Sequence, residues 1–357
     1  MLIIAWIIAL FFAANIGASG TAASMGAAYG AGAIRRRWIA LVLVAAAAFL
    51  GAVVGGGSVV KTISGGIVPS HDITVEITVL ILASACLTLF ISNLIGVPLS
   101  TSEVTVGAVV GVGLAIGHVY GAKLAFIVSV WLIMPFVAMG IAYLLGKLIR
   151  VLEPKLSNVS AAARYTTLAL TVLLVLSGCY EAFSAGMNNV ANAIGPLVAA
   201  NVIGVHAGLV FGALFVAIGA MTLGGKVLET NAKKITQLSI LQGTAVSLTS
   251  ATLVLVASLF GLPVPQTQAT TMAIFGVGQS KVGRDIWRQD VVKRIVKIWI
   301  ASPVSSLLLS YVLVELVTNR NLSALWVVAA VIVFAGLLWT FRRMRARQTS
   351  VAQRKSL

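Results

Sequence analysis

Charge is scarce in this sequence: only 10% of its 357 residues are Asp, Glu, Lys or Arg, while 59% are hydrophobic and the mean hydropathy is +1.05. Soluble domains carry about 25% charged residues, so a water-soluble fold is excluded. Acids are the rarer sign, nine against 25 Lys and Arg. The two cysteines, Cys86 and Cys179, lie inside apolar runs; they offer neither a disulfide framework nor metal-ligand spacing and read as small packing residues. The three histidines, His71, His118 and His206, stand far apart and form no nucleophile–base grouping, which argues against an enzyme. No cofactor or metal is implied. Short alternating segments of the kind that build an outer-membrane barrel are missing as well.

What remains is a succession of long apolar runs, several of them sufficient for a helix of ~20 residues across a bilayer. The fold class is an all-α polytopic membrane protein with about 10–12 membrane segments. The basic excess collects between the runs, at Arg35 to Arg37, Lys147 to Lys155, Lys233-Lys234, Arg284 to Lys297 and Arg342 to Arg347. The positive-inside rule produces that pattern, so the charge reports topology and not nucleic-acid binding. It puts the chain in the cell (plasma) membrane, multi-pass, with a cytoplasmic C-terminus. Met1 to Phe12 is apolar with no basic stretch before it, and is read as part of the first span and not as a removable leader.

Polar residues interrupt the apolar runs at a few places. Gly186 to Leu197 holds three asparagines, Asn188, Asn189 and Asn192, ahead of Gly195-Pro196. Unpaired polar groups cost several kcal/mol in lipid, so this stretch belongs in protein or against a polar cavity, and Gly195-Pro196 invites a helix break there. Gly17 to Gly26 is small and hydroxyl-rich, with Ser19, Thr21 and Ser24. Gly96 to Gly107 carries Ser100, Thr101, Ser102 and Glu103 after Pro98, and Gly261 to Thr271 carries Gln266, Thr267 and Gln268 after Pro265. Apolar runs broken by Pro and several polar groups read as the tips of re-entrant hairpins.

These interruptions recur. Gly96-Val97-Pro98 and Gly111-Val112-Gly113 match Gly261-Leu262-Pro263 and Gly276-Val277-Gly278 at a spacing of 165. Gly56-Gly57 matches Gly224-Gly225 at 168, and Gly17-Ala18-Ser19-Gly20 matches Gly186-Met187-Asn188-Asn189 at 169. One order at nearly one spacing implies two homologous repeats, 1–150 and 164–320, followed by 321–357 as a final transmembrane helix and basic tail. Paired polar breaks in two such halves point to a transporter site at the midplane. The basic Arg35 to Arg37 has no counterpart near Val202 to Ala207, as expected if the repeats are inverted.

These residues resemble the inorganic phosphate transporter (PiT) family. Its Gly-Ala-Asn-Asp-x-Ala-Asn-Ala/Ser signature is matched by Gly186 to Ala193. Its Pro-Val-Ser-Thr/Ser-Thr-His signature is matched by Pro98 to Glu103 and by Pro263 to Gln268. The block Glu229-Thr230 followed by Lys233-Lys234-Ile235-Thr236 is also similar to the family. The departures fall on the polar positions: Asn189 stands at the signature aspartate, Gly20 at its first-half equivalent, and Glu103 and Gln268 at the hairpin histidines. Family members that carry phosphate are implied to use those aspartates for sodium and phosphate.

An anion at the midplane needs hydrogen-bond donors and helix N-termini. The substrate-binding candidates are Asn188, Asn189, Asn192, Ser19, Thr21, Ser24, Ser100, Thr101, Ser102, Gln266, Thr267 and Gln268. Much phosphate carries a hydrogen at neutral pH, which a carboxylate can accept; sulfate carries none, and a carboxylate beside it only repels. The loss of both aspartates therefore favours sulfate, and the departures resemble the sulfate permease branch of the family. A sodium site would rest on neutral oxygens alone, which favours a coupling proton over sodium. Glu103 and Glu181 are its candidate carriers, with a structural pairing of Glu103 to Lys61 or Lys226 as the alternative. The expectation is a secondary active sulfate importer, a proton symporter working by alternating access. A phosphate symporter is the second reading and an anion channel the third. The partners are sulfate or a related tetrahedral oxyanion, a proton, the lipid bilayer and a second copy of the chain.

Overall fold

The computed structural model describes residues 1–94, 99–157, 163–235, 238–283, 290–323 and 326. The motif start Gly96 to Pro98, the basic residues 284–289 and nearly all of the expected final span 323–341 with its tail lie outside the described residues. Among those that are described, secondary structure is entirely helical.

The first half runs α1 (Leu2–Ile16), a π-helical turn Gly17–Thr21, α2 (Gly26–Gly30), α3 (Arg37–Gly55), α4 (Gly57–Gly65), α5 (Val75–Leu94), α6 (Thr101–Ile116) and α7 (Gly121–Ser157). The second runs α8 (Ala163–Ala199), α9 (Val205–Leu223), α10 (Gly225–Ile235), α11 (Ile240–Leu259), α12 (Gln266–Val282) and α13 (Asp290–Val317). The element order of the first half therefore returns in the second, with α8 standing where α1, the π-turn and α2 stood. Eight helices among the described residues are long and apolar enough to cross a membrane. Their outward residues are apolar, with Ile3 74% and Leu132 65% exposed, as a lipid-facing surface requires. The chain is a multi-pass membrane protein. α6 and α12, with 16 and 17 residues, are shorter than these spans, about 24 and 26 Å at 1.5 Å per residue.

α6 packs on α13 and its counterpart α12 packs on α7; α3 packs on α8 and its counterpart α9 on α1. Small residues allow these approaches. A Cβ on Gly186 would overlap the carbonyl of Ala48, and one on Gly17 the carbonyl of Val216. Likewise Gly51 lies on Phe183 and Gly219 on Ala14, Gly111 on Leu307 and Gly276 on Met139. Each of these contacts has a mate in which both residues are displaced by the repeat spacing, with the halves exchanged.

The sequence expectation of a break at Gly195-Pro196 is not met: α8 continues through both to Ala199. Pro196 falls in the last turn, where its missing N–H removes one ladder bond, and its carbonyl accepts the Thr78 hydroxyl at 3.0 Å. The interruption instead lies in the first half, in the Gly17–Thr21 π-turn and the residues leading to α2.

The C-terminal ends of α6 and α12 are held by different contacts. Near the α6 C-terminus, His118 Nδ1 lies 2.9 Å from Asp72, and Tyr120 N–H donates to Ile67 C=O at 2.9 Å. The α12 C-terminus instead lies beside the α7 C-terminal region, where Gly146 meets Ser280. Arg37 pairs with Glu229 at 2.9 Å across the two halves.

Candidate functional site

Both of these shorter helices, α6 and α12, begin among buried residues. Ser100 caps α6, its hydroxyl accepting the Glu103 N–H at 3.4 Å, and α12 starts at Gln266 directly after Pro265. A helix N-terminus presents unpaired N–H groups and about half a positive charge, so each tip carries an end favourable to an anion. The tips touch: the Gln268 amide donates to a Glu103 carboxylate oxygen. These residues are 165 positions apart, so they are repeat equivalents meeting each other.

α8 passes the tips and knits them together. Asn188 Oδ1 accepts from the Ser102 hydroxyl and the Val264 N–H, both at 3.1 Å, while Nδ2 donates to Ser258 Oγ at 2.8 Å and Leu262 C=O at 2.9 Å. That amide is saturated by protein. Asn189 Oδ1 accepts from Thr101 at 3.2 Å and its Nδ2 donates to Gln266 Oε1 at 3.4 Å, bridging the two tips. Asn192 donates to Ser102 at 3.3 Å, and its Oδ1 is buried with no partner. All three asparagines are at most 3% exposed. Thr267 lies in the first turn of α12 at intermediate exposure.

The two acids sit on either side of this cluster. Glu103 is 3% exposed; its Oε2 has no hydrogen-bond partner, and nearby Ser302 turns its hydroxyl to Ser100 C=O at 3.4 Å. Glu181 precedes Asn188 by two turns of α8; its carboxylate accepts from Thr270 at 2.9 Å, and Thr270 in turn meets Ser250 at 2.7 Å. Gln266 also donates to the Glu181 backbone carbonyl at 3.5 Å. The ion pairs among the described residues are Arg37–Glu229 and the Asp72 contacts with His71 and His118, so neither acid has a basic partner. Lys61 and Lys226 are exposed, and the alternative of a structural Glu103–Lys pair is not what forms.

The structure thus gathers Ser100, Thr101, Ser102, Asn188, Asn189, Asn192, Gln266 and Gln268 around the tips. It does not bring Ser19, Thr21 or Ser24 to them by any hydrogen bond among the described residues. Ser19 and Thr21 donate back to Ile16 C=O at 3.4 Å, and the buried Ser24 Oγ has no partner. The hydroxyl-rich first-half stretch packs chiefly on α9, whereas its repeat mate in α8 reaches the tips. Sequence reasoning passed over Ser258, Thr270 and Ser250. Ser250 lies mid-helix in α11, Ser258 one residue from its end and Thr270 in the second turn of α12, and only their three-dimensional contacts with Thr270, Asn188 and Glu181 respectively mark them.

A model of the phosphate transporter family matches residues 16–310. The sulfate permease CysP of Bacillus subtilis is 49% identical, over 92% of this chain and 91% of that protein. A candidate phosphate permease of Pyrococcus furiosus is 30% identical, over 84% and 92% respectively. Among solved structures, one titled as the sodium-dependent phosphate transporter superposes with a TM-score of 0.75 at 28% identity. It covers 88% of this chain and 99% of its own. These relatives are named as permeases or transporters and not as enzymes.

Proposed function

Because the chain belongs to the phosphate transporter family, we propose that it imports sulfate together with protons, by alternating access around the hairpin tips. The observation that carries this reading is a buried site of neutral polar groups flanked by two acids that have no basic partner among the described residues. Asn189, Asn192 and Gln266 each keep a second amide N–H to donate, and the Thr101 and Ser102 hydroxyls would have to turn from Asn189 and Asn188 to do so. Two helix N-termini supply positive potential, and Asn189 adds no charge where a carboxylate would repel a dianion. Asn188, already saturated, holds the second tip in place, and Gln268 holds the first through Glu103. The name of the 49% identical relative supports sulfate over phosphate.

Coupling follows from Coulomb's law. A deprotonated Glu103 beside a dianion would repel it by about 4 kcal/mol per unit charge at 4 Å and an effective dielectric near 20. A protonated Glu103 removes that repulsion, so proton and sulfate each favour the other's binding by the same factor. Glu181, with Thr270 and Ser250 behind it, offers a second protonatable relay. The halves 1–150 and 164–320 act as inverted repeats. Hairpin α5–α6 opens beside Asp72 and His118, and hairpin α11–α12 opens beside Gly146 on the side whose basic residues the positive-inside rule reads as cytoplasmic; the basic C-terminal tail is assigned to the cytoplasm by the same rule.

The test is radiolabelled sulfate uptake into proteoliposomes under imposed proton or sodium gradients, with phosphate as competitor. Uptake driven by an inward proton gradient, unaffected by sodium and weakly inhibited by phosphate, supports the proposal. A sodium requirement with strong phosphate competition refutes it in favour of a sodium-coupled phosphate symporter, as the 28% identical neighbour is titled.

A further inference from the structure

Away from the tips, the seam between α7, α11 and α12 encloses a cavity of about 430 Å³ lined by Gly146, Arg150, Glu153, Pro154, Gln242 and Lys281. Gly146 lets α12 approach, since a Cβ there would crowd Ser280. Gln242 is engaged in the α11 capping box, with its Oε1 accepting the Ser239 N–H at 3.1 Å. Arg150 and Lys281 are exposed, and no ion pair joins either of them to Glu153 among the described residues. Two unneutralised cations and one carboxylate leave the wall net positive. The opening is large enough for a headgroup, within the ~300–1,000 Å³ range of ligand pockets.

The cavity continues along one face of α7. Successive residues of a helix advance by about 100°, so Leu132, Phe136, Tyr143, Lys147 and Arg150 fall on one stripe. Leu132 and Phe136 are 65% and 55% exposed, and the Lys147 ammonium lies 4.7 Å over the Tyr143 ring. Arg150 and Phe136 are separated by about 21 Å of helix axis, from 1.5 Å per residue. An apolar track leading from the membrane interior to an amphipathic Tyr and then to three cations has the polarity of a single lipid molecule.

We propose that this seam binds one anionic phospholipid. Its phosphate lies between Arg150 and Lys281, with Lys147 at the rim, and its acyl chains lie along Tyr143, Phe136 and Leu132. A lipid there would bridge α7 to the mouth of the α11–α12 hairpin, which must move if transport proceeds by alternating access.

Lipid retention on the full-length purified protein tests this, read by native mass spectrometry, together with the shift of Tm on adding short-chain phosphatidylglycerol. Phosphatidylcholine of the same chain length, glycerol 3-phosphate and inorganic phosphate serve as the other probes. Retention of one phosphatidylglycerol and a Tm shift that phosphatidylcholine does not reproduce are expected. Arg150→Gln and Lys281→Gln should each weaken retention about fivefold, while Lys123→Gln, half-buried in the first turn of α7 at its other end, should leave it unchanged. Equal retention of phosphatidylcholine, or unchanged retention in the Arg150→Gln, Lys281→Gln double variant, would overturn the proposal. So would displacement of the lipid by inorganic phosphate or glycerol 3-phosphate, which would mark a free-anion site. A Tm shift that depends on protein concentration and not on lipid would make the face a contact between two copies of the chain.

Discussion

At the residue scale, Asn188 and Asn189 are neighbours in sequence with opposite assignments. Asn188 uses all four of its hydrogen-bonding positions on protein, so Asn188→Ala strands Val264 N–H and Leu262 C=O and takes one partner each from the Ser102 and Ser258 hydroxyls. Unmet buried partners cost about 1–3 kcal/mol each, so this variant should lower the detergent-solubilised Tm markedly and lose transport with it. Asn189→Asp should leave Tm within a few degrees but cut sulfate uptake at least ~100-fold, because about 4 kcal/mol of repulsion per unit charge enters the site. Unchanged uptake would remove Asn189 from the anion path. The sequence made both residues visible as costly polar groups in lipid. It could not separate them, because a side chain's type states what bonds it can make and not which are already taken. Ser19 and Thr21 show the same limit: short hydroxyls in helices often bond back to their own turn, and these do.

At the scale of elements, the hairpins were legible and the broken helix was misplaced. Pro and a dense polar run at Pro263 to Gln268 mark a tip by local chemistry, and α12 begins there. Gly195-Pro196 carried an equally strong local signal, yet helix α8 runs on to Ala199. Tertiary context decides that case. The α8 C-terminal turn is held by the Thr78 hydroxyl on Pro196 C=O, so the lost ladder bond does not end the helix before it. The glycines belong to this scale too. Gly186 presses on the Ala48 carbonyl and Gly17 on that of Val216, in repeat-equivalent contacts. Gly186→Leu should therefore disrupt α3–α8 packing and abolish recovery of folded protein, as Gly17→Leu should for α1–α9. Gly20→Ala, which meets open space in the structure, should be recovered normally. Size-exclusion profiles of the three variants decide it.

At the scale of the whole molecule, the repeat read from spacing is reflected in the order of helices and in paired glycine contacts. If the halves are inverted, His118→Cys at the end of α6 and Lys281→Cys at the equivalent end of α12 should react with a membrane-impermeant maleimide from opposite faces of a right-side-out vesicle, in a background lacking Cys86 and Cys179. Labelling of both from one face would reject the inversion. What spacing could not reveal is the asymmetry. α8 reaches both hairpin tips, whereas its counterpart stretch Gly17 to Gly26 packs on α9 and is kept from them by the π-turn and the short α2. On the proposed reading an anion is held mainly by second-half residues, with the first half supplying Thr101, Ser102 and the proposed proton carrier Glu103.

The central claim is that sulfate and a proton share the hairpin-tip site, with Glu103 as the carrier. Its most direct test is proton movement driven by sulfate alone. Vesicles containing the protein and a trapped pH dye are given an inward sulfate gradient with no proton or sodium gradient. The wild type should acidify the lumen, and phosphate at the same concentration should not. Glu103→Gln, which can keep the amide contact to Gln268, should carry sulfate without acidifying. Sulfate entry with no lumenal acidification in the wild type, or acidification that survives intact in Glu103→Gln, would contradict the account.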